Sequence, residues 1–197
     1  MNYLAHAYLS FHNPEILVGN MISDFVKGKK QFDYPDNIQK GIRLHRNIDT
    51  FTDQHPSTKK AKEYFRSAVG AYAGAFMDVV YDHFLANDTN EFPADSLHSF
   101  ASEVYSQLLA QQSYLPEKFA RMLPYMSSQD WLYNYRYPEG IEKSFGGVVR
   151  RAQYLSGFGN AFGLFTDNYT QLQHHYHEFF PDLKKYASSQ FAVLLKQ

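Results

Sequence analysis

Apolar residues recur at i, i+3 and i+4 along nearly the whole chain, and turn-forming residues fall between the runs. Asn13-Pro14-Glu15 reads as a cap, a first-turn proline and a favourable acid. They open a helix through Leu17, Val18, Met21, Ile22 and Phe25 that stops at Gly28. A second helix begins near Asp36, carries Ile38, Ile42, His45, Ile48 and Asp49, and ends at Pro56. A third spans about Tyr64 to Ala86, with Gly70 and Gly74 as points where it breaks or packs closely. Leu97 to Leu108 gives an amphipathic helix. A short helix after Pro116 is expected to break before or at Pro124, with Ser127 or Ser128 capping the next, which holds Trp131. Pro138-Glu139 opens a helix through Leu155 that Gly157 and Gly159 end, and Pro181 is expected to separate two last helices, about Ala161 to Phe180 and Leu183 to Leu195. No run alternates with period two and no repeat is present. The expectation is one all-α domain over residues 1–197.

Two stretches break the amphipathic rule. Ile38, Ile42, His45, Asp49 and Thr52 share one narrow helical stripe, which puts an imidazole and a carboxylate in the middle of an apolar face. An unpartnered carboxylate there costs several kcal/mol, so Asp49 needs a cation, a donor network or a metal; a hydrogen-bonded His/Asp pair satisfies the pattern too. Around Tyr81 the chain is apolar on nearly every side, the mark of a central helix. Asp78 and Asp82 nevertheless share a strip with Ala71, Ala75 and Leu85. Two neighbouring buried carboxylates repel unless something positive lies between them, and a divalent metal is the economical solution; an exposed acidic edge is the alternative. Asp24, beside Met21, Ile22 and Phe25, gives a weaker signal. By pattern His6 is a core histidine, and His83 points about 100° away from Asp82. The His174-His175-Tyr176-His177 run reads as a solvated stretch.

Composition narrows the chemistry. At 44% hydrophobic and 17% aromatic residues the chain is globular. Without cysteine it has no disulfide, no thiolate zinc site and no cysteine nucleophile. No segment has the roughly 18 apolar residues of a membrane span and the N-terminus lacks signal-peptide features, so a cytoplasmic protein without membrane partners is expected. Carboxylates and imidazoles favour Mn, Fe, Mg or Zn in mixed O/N coordination, which suits phosphoester hydrolysis. The net charge is −1, against any general nucleic-acid affinity. From Lys27 to Arg66, however, ten basic and five acidic residues give +5, leaving −6 for the remainder. Basic charge thus lies on the segment of His45 and Asp49, suiting a polyanionic or acidic-protein substrate.

Four blocks carry a family resemblance: Asn2-x-Leu4-Ala5-His6; Gly19-Asn20 with Asp24-Phe25-Val26-Lys27-Gly28; Gly41-Ile42-x-Leu44-His45-Arg46-x-Ile48-Asp49-x-Phe51-Thr52-Asp53-x-His55-Pro56; and Asp78-x-x-Tyr81-Asp82-His83-Phe84-Leu85-Ala86. Together they resemble the acyl carrier protein phosphodiesterases. The resemblance implies a helical bundle similar to the HD-type metal phosphohydrolases. It also implies a manganese-dependent enzyme that hydrolyses the phosphodiester joining 4'-phosphopantetheine to the serine of holo acyl carrier protein. Carried onto this chain, the metal candidates are Asp24, His45, Asp49, Asp78 and Asp82, Lys27 and Arg46 hold the phosphate, and His6 and His83 are nearby imidazoles. On chemical grounds His6 or His83 is expected to protonate the leaving serine oxygen. The helix faces single out His45 with Asp82. A small-molecule or nucleotide phosphohydrolase and a carrier-binding module without turnover are the alternatives.

Overall fold

The computed structural model describes all residues from Met1 to Gln197. Eleven α-helices and no strands make up the chain: α1 (Tyr3–Tyr8), α2 (Pro14–Ile22), α3 (Asp36–Gln54), α4 (Pro56–Val69), α5 (Ala73–Ala86), α6 (Ser96–Ala110), α7 (Glu117–Ser128), α8 (Trp131–Asn134), α9 (Pro138–Arg151), α10 (Ala161–Asp167) and α11 (Tyr169–Leu195). One continuous core of 50 buried apolar residues runs from Met1 to Leu194. No helix is long and apolar enough to cross a membrane.

The expected punctuation holds at the start of α2, where the Asn13 side chain accepts from the Ile16 N–H and Pro14 takes the first helical position. The run expected to continue to Gly28 tightens into a 3₁₀ turn at Ser23–Phe25, and a second 3₁₀ segment spans Gly28–Asp33. Of the two glycines flagged before Tyr81, Gly70 breaks the helix. Its φ of +54° is a left-handed conformation that costs other residues strain. Gly74 lies inside α5. The prolines behave otherwise than expected: α7 runs through Pro124 and α11 through Pro181. Each forfeits one backbone hydrogen bond, and the buried neighbours Leu123 and Met126, or Phe179, Phe180 and Leu183, hold the helix together across the gap.

Helix α5 is central, as its pattern requires, with 11 of its 14 residues buried. It packs against α1, α4, α9 and α11. Helices α2 and α3 form the most extensive pairing, because they meet glycine to glycine. A Cβ on Gly19 would lie 2.0 Å from the Ile38 carbonyl oxygen and 2.8 Å from the Gly41 Cα, and one on Gly41 would lie 2.3 Å from the Ile16 carbonyl oxygen.

The short helix α1 has no cap of its own at Asn2. The carboxylate of Asp82 does that work from α5, accepting from the backbone N–H groups of Asn2 (3.2 Å), Leu4 (2.7 Å) and Ala5 (3.3 Å). Burial raises its pKa to about 7 against these donors and the nearby Met1 ammonium.

Gly19→Ala and Gly41→Ala should each destabilise the protein by at least about 2 kcal/mol, since backbone rather than a yielding side chain meets the added methyl. Gly74→Ala, whose Cβ would meet only the far end of Lys62 at 3.4 Å, should be neutral or stabilising in the same urea titration. A Gly19→Ala protein as stable as wild type would contradict the close crossing.

Candidate metal centre

The glycine crossing places Asn20 of α2 between the imidazoles of α1 and α3. Its backbone carbonyl accepts from His45 Nδ1 at 2.7 Å. Its side-chain amide donates to the His6 carbonyl (2.8 Å) and to Ser10 Oγ (3.1 Å), which fixes its oxygen toward His6 Nδ1 at 2.8 Å. Both rings therefore carry hydrogen on Nδ1 and present Nε2 to the same space. They stack with centroids 3.8 Å apart.

Asp49 faces both rings, its two oxygens 3.2 Å from His6 Nε2 and 3.1 Å from His45 Nε2. His6 Nε2, His45 Nε2 and Asp49 Oδ1 are buried atoms with no hydrogen-bond partner. One ligand atom each from His6, His45 and Asp49 lies within 4.8 Å of the others. Asp24, largely exposed, approaches His45 Nε2 to 3.4 Å from the 3₁₀ turn after α2. Asp78 is 2.9 Å and Asp49 3.5 Å from the buried Met1 ammonium, whose pKa they raise to about 11 against the effect of burial.

The two histidines are electrostatically unlike. Burial and the neighbouring His45 push His6 down to about 4, so at neutral pH it offers a lone pair. Burial acts on His45 in the same direction, but the Asp24 and Asp49 carboxylates outweigh it and raise it to about 9. Burial opposes the Asp49 anion, yet the ammonium and both imidazoles hold it well below the usual carboxylate range. Donors of N, N and O type, buried side by side and oriented by a neighbouring amide, fit a divalent cation, which would displace the proton His45 otherwise holds.

Among the sequence candidates, the structure brings together His6, His45, Asp49 and Asp24, with Asp78 adjoining through the ammonium. The expected His45–Asp82 pair is not formed, because the Asp82 oxygens are taken up by the N–H groups of α1. His83 is tied at both nitrogens, to the Tyr135 carbonyl (2.7 Å) and the Tyr169 hydroxyl (2.9 Å). Arg46 bonds Gln31 (2.8 Å) and the Val26 carbonyl (3.3 Å), pinning the loop that carries exposed Lys27. Asn20 was missed as a site residue. Its signal was its place beside Gly19, where a buried amide faces a close helix crossing. Arg151, from α9, was missed too. It lines a cavity of about 250 Å³ together with Asp24 and Asp78.

The four blocks thus converge on one centre, and comparison with known proteins agrees over the whole chain. Residues 1–183 match the family model described as acyl carrier protein phosphodiesterase. The chain belongs to the acyl carrier protein phosphodiesterase family. Proteins named acyl carrier protein phosphodiesterase are similar to it at 30% identity in Escherichia coli O6:H1, over 95% of this chain and 98% of that protein. The values are 31% in Yersinia pestis, over 95% and 97%, and 30% in Photorhabdus laumondii, over the full length of both. No solved structure matches this family member.

Asn20→Leu, which removes the amide that sets the His6 ring, should weaken divalent-metal affinity by about 10- to 100-fold in a calorimetric titration. His83→Gln should leave that affinity within about twofold, its ring being committed to Tyr135 and Tyr169. The reverse ranking would exclude His6 from the centre.

Proposed function

We propose that this protein removes the 4'-phosphopantetheine group from holo acyl carrier protein by hydrolysing the phosphodiester to the carrier's serine. The observation that carries the reading is the convergence of the buried His6 Nε2, His45 Nε2 and Asp49 Oδ1 in a chain whose residues 1–183 match the phosphodiesterase family. His6, His45 and Asp49 would hold a divalent metal, manganese by resemblance, with Asp24 at its open side. A bound divalent ion supplies Lewis acidity, drawing charge from phosphoryl oxygens and acidifying water.

The chain's own groups do the positioning. Asn20 keeps both Nε2 atoms facing the centre. Arg46 tethers the loop of Asp24, from which Lys27 extends an unpaired ammonium toward an incoming phosphate. His6, neutral at working pH, serves in this reading as a lone-pair donor rather than as the acid expected of it or of His83. Water adds its oxygen to phosphorus while the bond from phosphorus to the serine oxygen breaks, and the serine leaves with a proton. Turnover in ¹⁸O-water, followed by mass spectrometry, should place one heavy oxygen in released 4'-phosphopantetheine and none in the apo-carrier. Heavy oxygen on the carrier serine, or a holo-carrier whose mass never falls with enzyme and Mn²⁺, would defeat the proposal.

Carrier recognition is assigned to the basic segment. Lys29, Lys30, Lys59 and Lys60 are exposed. Lys62 and Arg66 line a cavity of about 740 Å³ that reaches Asp78. Such rim charges act mainly on encounter and are screened over roughly 8–10 Å at physiological salt. Replacing Lys29, Lys30, Lys59 and Lys60 by Glu should lower kcat/KM for holo-carrier at least about tenfold, ~1.4 kcal/mol, and flatten its salt dependence. An unchanged kcat/KM would move docking elsewhere.

A further inference from the structure

A second large concavity adjoins the metal centre. A cleft of about 720 Å³ runs between α9 on one side and the N-terminal residues with α7 and α8 on the other. It shares Asn2 and Arg151 with the small cavity that contains Asp24 and Asp78, so the two spaces adjoin at Arg151. We infer that this cleft receives the pantetheine arm, with Arg151 at the junction holding its phosphate. The inference rests on the phosphodiesterase reading for the identity of its ligand.

Size, chemistry and the shape of α9 support it. An arm of about twenty non-hydrogen atoms belongs in a cleft of this class. Such an arm is amphipathic: a phosphate at one end, a dimethyl group and two amides along its length, and a thiol at the other end. The cleft offers a matching sequence of groups. Arg151 has no ion-pair partner, unlike Arg66 with Glu63 and Arg121 with Glu117, so its charge is available to a ligand. The Asn134 amide nitrogen is spent on the Gln129 carbonyl, leaving its oxygen for an amide N–H. Met122 and Trp131 provide apolar wall.

Helix α9 carries consecutive glycines where it borders the cleft. Two glycines in mid-helix weaken it, and neither is required by packing. A Cβ on Gly146 or Gly147 would meet nothing closer than the ends of Arg150 and Arg151, at 3.6 Å. What side chains at these positions would do is fill the cleft. The pair therefore keeps the groove open for a ligand that lies against helix backbone.

Trp131 is the only tryptophan and lines the cleft, so its emission reports occupancy without turnover. Wild type would be titrated with 4'-phosphopantetheine, pantetheine and AMP. Both arm compounds should shift the emission, the phosphorylated one binding at least tenfold more tightly. Arg151→Gln should abolish that preference while keeping pantetheine affinity. Gly147→Phe should abolish both and raise KM for holo-carrier at least tenfold; Ser144→Phe, on the same wall, decides the matter if Gly147→Phe has lost its helical circular dichroism. A Trp131 signal from AMP alone, or cleft variants that bind and turn over like wild type, would overturn the inference and leave the phosphodiesterase reading standing. Tight arm binding by a wild type that never converts holo-carrier would support the cleft and retire the hydrolase reading.

Discussion

Helices α2 and α3 touch backbone to backbone where Gly19 meets Gly41, and the geometry of the centre follows from that contact. At any wider separation the Asn20 carbonyl would not reach His45 at 2.7 Å while its side chain reaches His6 at 2.8 Å. One residue thus sets the tautomers of two stacked rings from opposite ends of its own atoms. The cost is a packed crossing that admits no side chain at either glycine. The return is a pair of Nε2 atoms turned toward Asp49 before any ligand arrives, a lone pair on His6 and a proton on His45 that a metal would displace.

Charge in the centre is arranged so that neither histidine duplicates the other. Asp24 and Asp49 hold His45 protonated over the neutral range, and that cation beside buried His6 keeps the second ring neutral. The carboxylates on α5 are divided in the same manner. Asp78 faces the ammonium, whereas Asp82, four residues on, caps α1 and so fixes the helix that delivers His6. The contacts of Asp82 are with the backbone of α1 and not with the imidazoles. The cleft along α9 and the basic face of α3 and α4 approach the centre from different elements, the arrangement that the proposed substrate, a flexible arm on an acidic carrier, would need.

Much of this was legible in the residues. The His45–Asp49 stripe, the central position of the Tyr81 helix, the Asn13-Pro14 start and the Gly70 break all follow from local rules that tertiary packing did not override. What escaped depended on contacts between distant segments. A helical wheel shows that buried Asp82 needs a partner but cannot show that the partner is the N-terminus of a six-residue helix 77 to 80 positions earlier. His6 looked like a core histidine because its neighbours are apolar, and it is buried; what the pattern could not show is that its Nε2 faces Asp49 of α3. Pro124 and Pro181 read as breaks because propensity describes an isolated helix, whereas these two are held by buried neighbours on either side.

The claim that His6 and His45 together offer Nε2 to one metal is tested most directly by electron–nuclear spectroscopy of the Mn²⁺-loaded protein labelled with ¹⁵N-histidine. Two histidine nitrogens coupled to the electron spin are expected in wild type, and one in His6→Ala. A wild-type spectrum with no histidine nitrogen coupled to manganese, or one unchanged by His6→Ala, would contradict it.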